Sequence, residues 1–243
     1  MTFRLIVFDI DGTLIPFGKM MSRNVSAIIR YFEKQGVRIA LSSGKNISYL
    51  EGIARDIGIK KPIIIAENGC VIVDIAESKE VWLAKRTPEI HEIRGKILAK
   101  FSDFTGEQSN NVELTFSITA LQPEAVSYIK ELLNKYHDMI HTYEYAGCLD
   151  VLPVGVDKGV GLAEAKRMYG FKKEDVVAIG DGENDIPMFK EAGLALIVGT
   201  KISYPTAVSF DTIEEVLDFL MKKAAVTKTC VGEATLSQDT TSK

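Results

Sequence analysis

The sequence predicts an α/β protein: a Rossmann-like parallel sheet core with helices on both faces, plus an inserted small α+β cap. Three observations carry this. Short apolar runs alternate with amphipathic helical stretches over the first 68 residues. The same alternation resumes from residue 157. Between the two, the texture changes to the period-two pattern of half-buried antiparallel strands, clearest in Glu113-Leu-Thr-Phe-Ser-Ile-Thr119.

Taken in order, Arg4–Phe8 is the first strand. Ser22 supplies an N-cap for a helix over Arg23–Gln35, and Gly36 stops it. Val37–Leu41 is a second buried strand, Ile47–Ile57 a helix ending at Gly58, and Pro62–Ala66 a third strand. A βαβαβ order of this kind implies a parallel sheet covered on both faces. In the insert, Val71–Val73 and Val81–Leu83 form a hairpin, and Glu89–Phe101 and Glu124–Tyr136 are helices. Met139–Tyr143 and Cys148–Leu152 pair as strands. Asp157 or Lys158 then opens a helix to Tyr169, stopped by Gly170. A strand over Asp175–Ile179, a helix over Asn184–Ala192, a strand over Leu194–Val198 and an amphipathic helix over Thr212–Lys223 complete the core. The expected division is core over 1–70 and 153–223 and cap over 71–152. Residues 224–243, rich in Thr, Ser and small side chains, are expected to form a disordered tail.

Bulk properties narrow the function classes. The chain has 243 residues, enough for a substantial core with an inserted small domain. A net charge of −4 leaves no basic footprint for nucleic acid. No apolar run approaches the roughly 20 residues needed to cross a bilayer. The N-terminus enters a strand with no signal-peptide pattern. Cys70, Cys148 and Cys230 are odd in number and far apart, which suggests neither a disulfide frame nor a zinc site. A reducing cytoplasm fits best. No nucleic-acid or membrane partner is expected; a homodimer is compatible with the sequence.

The unusual polar clusters collect at one edge. In an open parallel sheet, ligands bind beyond the carboxyl ends of the strands. Asp9 and Asp11 follow the first strand, Ser42-Ser43-Gly44-Lys45 the second, and Gly180-Asp181-Gly182-Glu183-Asn184-Asp185 the strand that ends at Ile179. Lys158 opens the helix leading back into the core. Two carboxylates as near as Asp9 and Asp11 repel unless a cation lies between them, and a hard, oxygen-seeking ion such as Mg²⁺ is the simplest remedy. Such a pair offers a nucleophile and a general acid/base. Asp181 and Asp185, four apart, share a helix face.

Each cluster also has a plain structural reading. Asp-x-Asp-Gly after a strand is a common turn. Ser-Gly is a common helix cap. Acids at a helix start complement its dipole, and most lysines are at the surface. An EF-hand is excluded, because no third acid and no Glu at the twelfth loop position follow. A Walker A loop is excluded, because it needs Gly where Ile39 stands.

In chain order, Asp9-Ile-Asp-Gly-Thr13, Ser43-Gly44, Lys158 and Gly180-Asp-Gly-Glu-Asn-Asp185 resemble the four motifs of the haloacid dehalogenase superfamily of phosphohydrolases. The resemblance covers about residues 3–220. An insert between the second and third motifs is similar to the Cof-type branch, and its modest size resembles archaeal-type phosphoglycolate phosphatases. Sucrose-phosphate and mannosyl-phosphoglycerate phosphatases are similar relatives. The resemblance implies that Asp9 attacks phosphorus and forms an aspartyl-phosphate, while Asp11 protonates the leaving alkoxide and then deprotonates water. It implies Mg²⁺ held by Asp9, the Asp11 backbone carbonyl and Asp181. Asp185 completes that site directly, through water, or by holding Lys158. Ser43, the Gly44 amide and Lys158 bind phosphoryl oxygens, and Asn184 supports this shell. The second motif departs from the commoner Thr-Gly-Arg: a Lys at 45 lacks the planar fork of an Arg.

The expected activity is Mg²⁺-dependent phosphomonoester hydrolysis of a small phosphorylated metabolite, with 2-phosphoglycolate as the leading substrate. The rivals are a sugar-phosphate phosphatase, a phosphotransferase or mutase with the same first half-reaction, and a binding module that kept the scaffold. His91, His137 and His141 read as structural or exposed, and Trp82 and Phe116 as insert core. Glu67-Asn68-Gly69 reads as a hinge or a substrate contact.

Overall fold

A computed structural model describes residues 3–101, 106–119, 121–145 and 147–236. Strand β1 (Leu5–Asp9) pairs in parallel with β2 (Arg38–Ser42) on one side and β9 (Val176–Gly180) on the other. Strands β3 (Ile63–Ala66), β10 (Leu194–Val198) and β11 (Val208–Phe210) extend the parallel sheet outward. Two antiparallel strands, β4 (Val71–Asp74) and β5 (Lys79–Trp82), complete the β3 side. Among the described residues the sheet runs β11-β10-β9-β1-β2-β3-β4-β5. The strand order therefore reverses at β1, and the carboxyl end of β1 is the place where such sheets bind ligands.

Alternate residues of each strand face opposite layers. Ile6 and Phe8 of β1 pack with helices α1 (Arg23–Lys34), α2 (Ile47–Ile57) and α7 (Ile213–Leu236) through Ile29, Phe32, Leu50, Ala54, Leu217 and Leu220. Leu5 and Val7 pack with α5 (Lys158–Tyr169) and α6 (Ile186–Lys190) through Leu162, Ala165, Met188 and Phe189. Both faces of the sheet are covered, as expected.

Among the described residues the cap sheet has three antiparallel strands, β6 (Leu114–Ser117), β8 (Cys148–Pro153) and β7 (Ile140–Tyr145), in the order β6-β8-β7. Helices α3 (Pro88–Lys100) and α4 (Pro123–Asn134) cover one face. Ile93, Ile97, Phe116, Ile129 and Val151 lie in the core between them. The opposite face looks down on the carboxyl edge of the main sheet.

Two boundaries differ from the sequence reading. The hairpin of β4 and β5 belongs to the main sheet, so the core's first segment continues through Trp82 and does not end at residue 70. Ile72 sits in the core layer beside Ile63 and Ile65, which the local sequence alone does not assign to one domain or the other. Trp82 consequently stands 41% exposed on the outermost strand, while Phe116 does fill the cap core. The closing helix α7 extends to Leu236, past Lys223. Residues 224–236 contain no proline to stop it; the remainder of the expected tail, 237–243, lies outside the described residues. No helix among the described residues is long and apolar enough to cross a membrane.

Candidate active site

Local sequence brings each group to the edge. Asp9 is the last residue of β1 and is 5% exposed. Asp157 caps α5 by accepting from the Val160 amide at 2.8 Å, which makes Lys158 the first helical residue. The start of α5 lies tight against the end of β3, because both contact points are glycines. A Cβ on Gly69 would stand 2.1 Å from the Asp157 carbonyl oxygen, and one on Gly161 would stand 2.7 Å from the Gly69 Cα. That approach delivers Lys158, only 1% exposed, into the interior. Its Nζ donates to Asp9 Oδ1 at 2.6 Å and to Asp185 Oδ1 at 2.6 Å.

The loop after β9 closes on itself. Asp185 Oδ2 accepts from the Asp181 and Gly182 amides, each at 3.0 Å. Asp185 therefore ties Lys158 to the loop that carries Asp181. Thr13 Oγ1 donates to Asp181 Oδ1 at 3.0 Å. Asp181 Oδ2 receives the Tyr145 hydroxyl from the cap and, at 2.9 Å, Lys201 Nζ. Tyr145 also reaches the Asp11 carbonyl at 3.4 Å.

The second cluster is not a helix cap. Asn46 caps α2, accepting from the Tyr49 amide at 3.0 Å. Ser43 is left to accept from the Lys45 amide at 3.2 Å, and its side chain is buried at the cavity. Lys45 Nζ donates across to Gln108 of the cap at 3.1 Å.

A cavity of about 120 Å³ lies where these parts meet. Asp9, Asp11, Ser43, Gly44, Lys45 and Asn184 line it from the core, with Phe17 at the side. Gln108, Thr115, Tyr145, Cys148 and Asp150 line it from the cap. All eight residues expected at the site from the sequence are thus brought together. Asp11 is placed differently from the other acids: it lines the cavity but stands outside the carboxylate cluster formed by Asp9, Asp181 and Asp185. His91, His137 and His141 are exposed on the cap, away from the cavity.

Electrostatics follow from burial. Burial is the largest influence on Asp9, and the Asp185 charge adds to it; together they push Asp9 up to about 8 against the pull of Lys158. Burial works to lower Lys158, but the Asp185 and Asp9 carboxylates more than reverse it, so Lys158 keeps its proton. The ligand oxygens of Asp9, Asp181 and Asp185 lie within 4.8 Å of one another, all buried. Three buried carboxylates with one fully buried ammonium among them form an oxygen donor set suited to a hard divalent cation.

Sequence reasoning missed the cap's contribution. Thr115, Tyr145, Asp150 and Gln108 come from separate segments and form no motif; only the alternation around Thr115 marks it as facing away from the cap core. Lys201, on the loop after β10, was also missed, although Thr13 stood inside the first motif.

Comparison with known proteins agrees with this geometry. A family described as haloacid dehalogenase-like hydrolase matches residues 6–105 and 86–204. The phosphoglycolate phosphatase 1 of Saccharolobus solfataricus is 28% identical over 220 residues, covering 89% of this chain and 88% of that one. A 5-amino-6-(5-phospho-D-ribitylamino)uracil phosphatase of Bacillus subtilis is 27% identical, covering 89% of each chain. A haloacid dehalogenase-like hydrolase from Bacteroides thetaiotaomicron superposes with a TM-score of 0.74 at 19% identity, over 90% of this chain and 100% of that one. With motifs, sheet order and buried site in agreement, the chain belongs to the haloacid dehalogenase-like hydrolases, as an enzyme of their phosphatase branch.

Proposed function

We propose that the protein is a Mg²⁺-dependent phosphomonoesterase that hydrolyses a small organic phosphate through an aspartyl-phosphate on Asp9. The observation that carries this reading is the Lys158 ammonium, buried and shared between Asp185 and Asp9, with Asp9 lining a cavity that also presents Asp11, Ser43 and Gly44. Lys158 occupies Asp9 Oδ1, so Oδ2 is the oxygen available to attack phosphorus. As the new P–O bond forms, the bond to the leaving oxygen breaks, and Asp11 gives that oxygen a proton. Asp11 then takes a proton from water, whose oxygen attacks phosphorus and releases the Asp9 carboxylate. Ser43, the Gly44 amide and Lys158 hold the phosphoryl oxygens and stabilise their charge. Asp9, the Asp11 carbonyl and Asp181 would hold Mg²⁺, with Asp185 anchoring the loop behind them. Bound there, the ion neutralises phosphoryl and carboxylate charge.

The substrate reading is 2-phosphoglycolate. Its support is the relatives that carry that name and a cavity well below the roughly 300 Å³ at which ordinary ligand pockets begin. Lys45 is the cavity's cation for a leaving-group carboxylate. One observation favours a second reading. Gln108, Thr115 and Asp150 on the cap wall are hydrogen-bonding groups that suit a hydroxylated leaving group, as in a sugar or polyol phosphate.

The test is phosphate release from a panel of esters with Mg²⁺ and with EDTA. The panel includes 2-phosphoglycolate, phosphoglycerates, hexose phosphates, mannosyl-phosphoglycerate and p-nitrophenyl phosphate. Metal-dependent turnover peaking on phosphoglycolate supports the first substrate reading, and a peak on a polyol phosphate supports the second. Phosphorylation of Asp9 without phosphate release would replace hydrolysis with transfer to another acceptor.

A further inference from the structure

Glu67-Asn68-Gly69 take no part in the mechanism above, yet all three are buried. Their φ angles are +51°, +49° and +94°. Holding a residue other than glycine in that region is costly and persists where the surroundings over-determine it. Here three regions do so. Toward the phosphate-binding loop, the Glu67 and Asn68 amides donate to the Lys45 and Ser43 carbonyls, each at 3.0 Å. Toward the cap, the Glu67 carboxylate accepts from the amides of Asn111 at 2.9 Å, Val112 at 2.7 Å and Glu113 at 3.3 Å. Arg86 holds the carbonyls of the same cap loop, with contacts of 2.7 Å to Asn110, 3.2 Å to Val112 and 2.8 Å to Glu113.

The Asn68 side chain joins the third region to the other two. Its Oδ1 accepts from Asn184 Nδ2 at 3.1 Å, on the loop that carries Asp181 and Asp185. Its Nδ2 donates to Glu113 Oε2 and Asp150 Oδ2, both at 2.9 Å and both from the cap. The cluster closes above Gly44, where an added Cβ would stand 2.8 Å from Asn68 Nδ2 and 3.0 Å from Asp150 Oδ2. One amide therefore touches the fourth motif and the cap wall, while its own backbone holds the second motif.

We propose that Asn68 is a positioning residue that couples seating of the cap to assembly of the phosphoryl site. The proposal rests on the phosphatase reading for its kinetic consequence, though not for the coupling itself. When Glu113 and Asp150 come down on Asn68 Nδ2, the amide plane is fixed, and its Oδ1 then fixes Asn184 at the cavity. An arrangement of this kind commits Asn184 and the Ser43 loop to their places only with the cap seated.

Two variants isolate the amide. Asn68→Gly keeps the positive φ without strain and removes the side chain. Asn68→Asp keeps an acceptor for Asn184, loses both N–H groups and sets a third carboxylate beside Glu113 and Asp150. Each is expected to lower kcat for p-nitrophenyl phosphate with Mg²⁺ by about 10- to 100-fold, the scale of a slightly misplaced active-site group, with a smaller change in KM. Adding Asp150→Asn to Asn68→Asp returns an N–H across the contact and should recover part of the loss, judged against Asp150→Asn alone. Amide hydrogen exchange without substrate gives the second readout. In Asn68→Gly it should accelerate both in the cap loop at 110–113 and in the phosphate loop at 43–46. Wild-type kcat in both variants, a double variant no better than Asn68→Asp, or faster exchange confined to one segment overturns the coupling. Should the wild-type protein hydrolyse nothing, the phosphatase reading fails, and the exchange pattern still decides the coupling by the same two outcomes.

Discussion

Two pairs of carboxylates flank the cavity, and each pair closes on a single nitrogen. In the core, Asp9 and Asp185 meet Lys158 Nζ, both at 2.6 Å. At the junction with the cap, Glu113 and Asp150 meet Asn68 Nδ2, both at 2.9 Å. The arrangements look alike, but one nitrogen carries a charge and the other does not. The core pair has a cation, and Lys158 keeps its proton despite burial, although burial and Asp185 still push Asp9 up to about 8. The hydrogen bonds of the junction pair come from neutral groups: the Asn68 amide and, on Glu113 Oε1, Asn110 Nδ2 at 2.8 Å and Thr115 Oγ1 at 3.1 Å. Burial above all, and then the Asp150 charge, hold the Glu113 carboxyl well above the usual carboxylate range. The junction is also short of donors: Asn110 Oδ1 is among the buried polar atoms of the described residues that have no hydrogen-bond partner. A fixed ammonium thus stands beside the proposed nucleophile, and a carboxylate pair with no ammonium between its members stands where cap and core meet.

The largest effect expected of any substitution is in the core pair. Asp9→Asn keeps the size of the side chain and removes the carboxylate proposed to attack phosphorus. Metal-dependent phosphate release from p-nitrophenyl phosphate should fall on the order of 10³-fold or more, as when a covalent nucleophile is lost. Activity within tenfold of wild type would remove Asp9 from the mechanism. Next in size is Lys158→Met, which leaves Asp9 and Asp185 buried together with no cation between them. Breaking a buried pair in this way costs about 3–5 kcal/mol, to be read from urea unfolding in EDTA. A loss below about 1 kcal/mol would mean that water or a proton compensates the pair as well as Lys158 does, and the contrast with the junction would collapse.

The same contrast explains what could be read from the chain. Asp9, Asp11, Ser43, Gly44, Lys158, Asp181, Asn184 and Asp185 follow strand ends or open helices, where turn residues and apolar runs give the position away. The parallel order of the sheet then places them on one edge. The cap wall has no such grammar. Thr115, Tyr145 and Asp150 lie inside ordinary antiparallel strands, and their chemistry comes only from which face the strand turns toward the core. The hairpin of β4 and β5 was misplaced for a related reason: its apolar residues fit either sheet, and only pairing with β3 assigns it. Asn68 was visible as a residue apart, but its partners are 45, 82 and 116 positions away, and no local pattern reaches that far.

A titration of stability sharpens the comparison further. The native Glu113 carboxyl binds its proton more tightly than the unfolded one, so the native state holds extra proton above the ordinary carboxyl range. Stability is then complete at low pH and declines as pH climbs through the native value. Asp9, pushed up to about 8, contributes in the same direction. Thermal unfolding in EDTA should show the melting temperature falling from about pH 5 to pH 8. Glu113→Gln should flatten part of that slope and gain on the order of 1 kcal/mol at the alkaline end, because an amide needs no proton and brings no charge into the buried junction. A variant less stable than wild type at both ends of the range would mean that Glu113 is held ionised at the junction.

A comparably small effect belongs to the other place where cap meets core. Tyr145 gives its hydroxyl to Asp181, as the Asn68 amide gives its N–H to Asp150, so the two crossings look equivalent on a contact diagram. They differ in what remains when the donor is removed. Asp181 would keep Thr13 on Oδ1 at 3.0 Å and the exposed Lys201 ammonium on Oδ2 at 2.9 Å. Lys201 also stays 4.7 Å over the rings of Phe17 and Tyr145, a contact that needs no hydroxyl. Tyr145→Phe in EDTA removes the bond to Asp181 and the one accepted from Lys201 Nζ at 2.8 Å, but leaves both charged groups with each other, so it should cost about 1–2 kcal/mol, with little dependence on pH between 5 and 8. A loss of about 3 kcal/mol or more would show that no neighbour replaces the phenol, and that the cap is carried by its tyrosine and not by the amide at position 68.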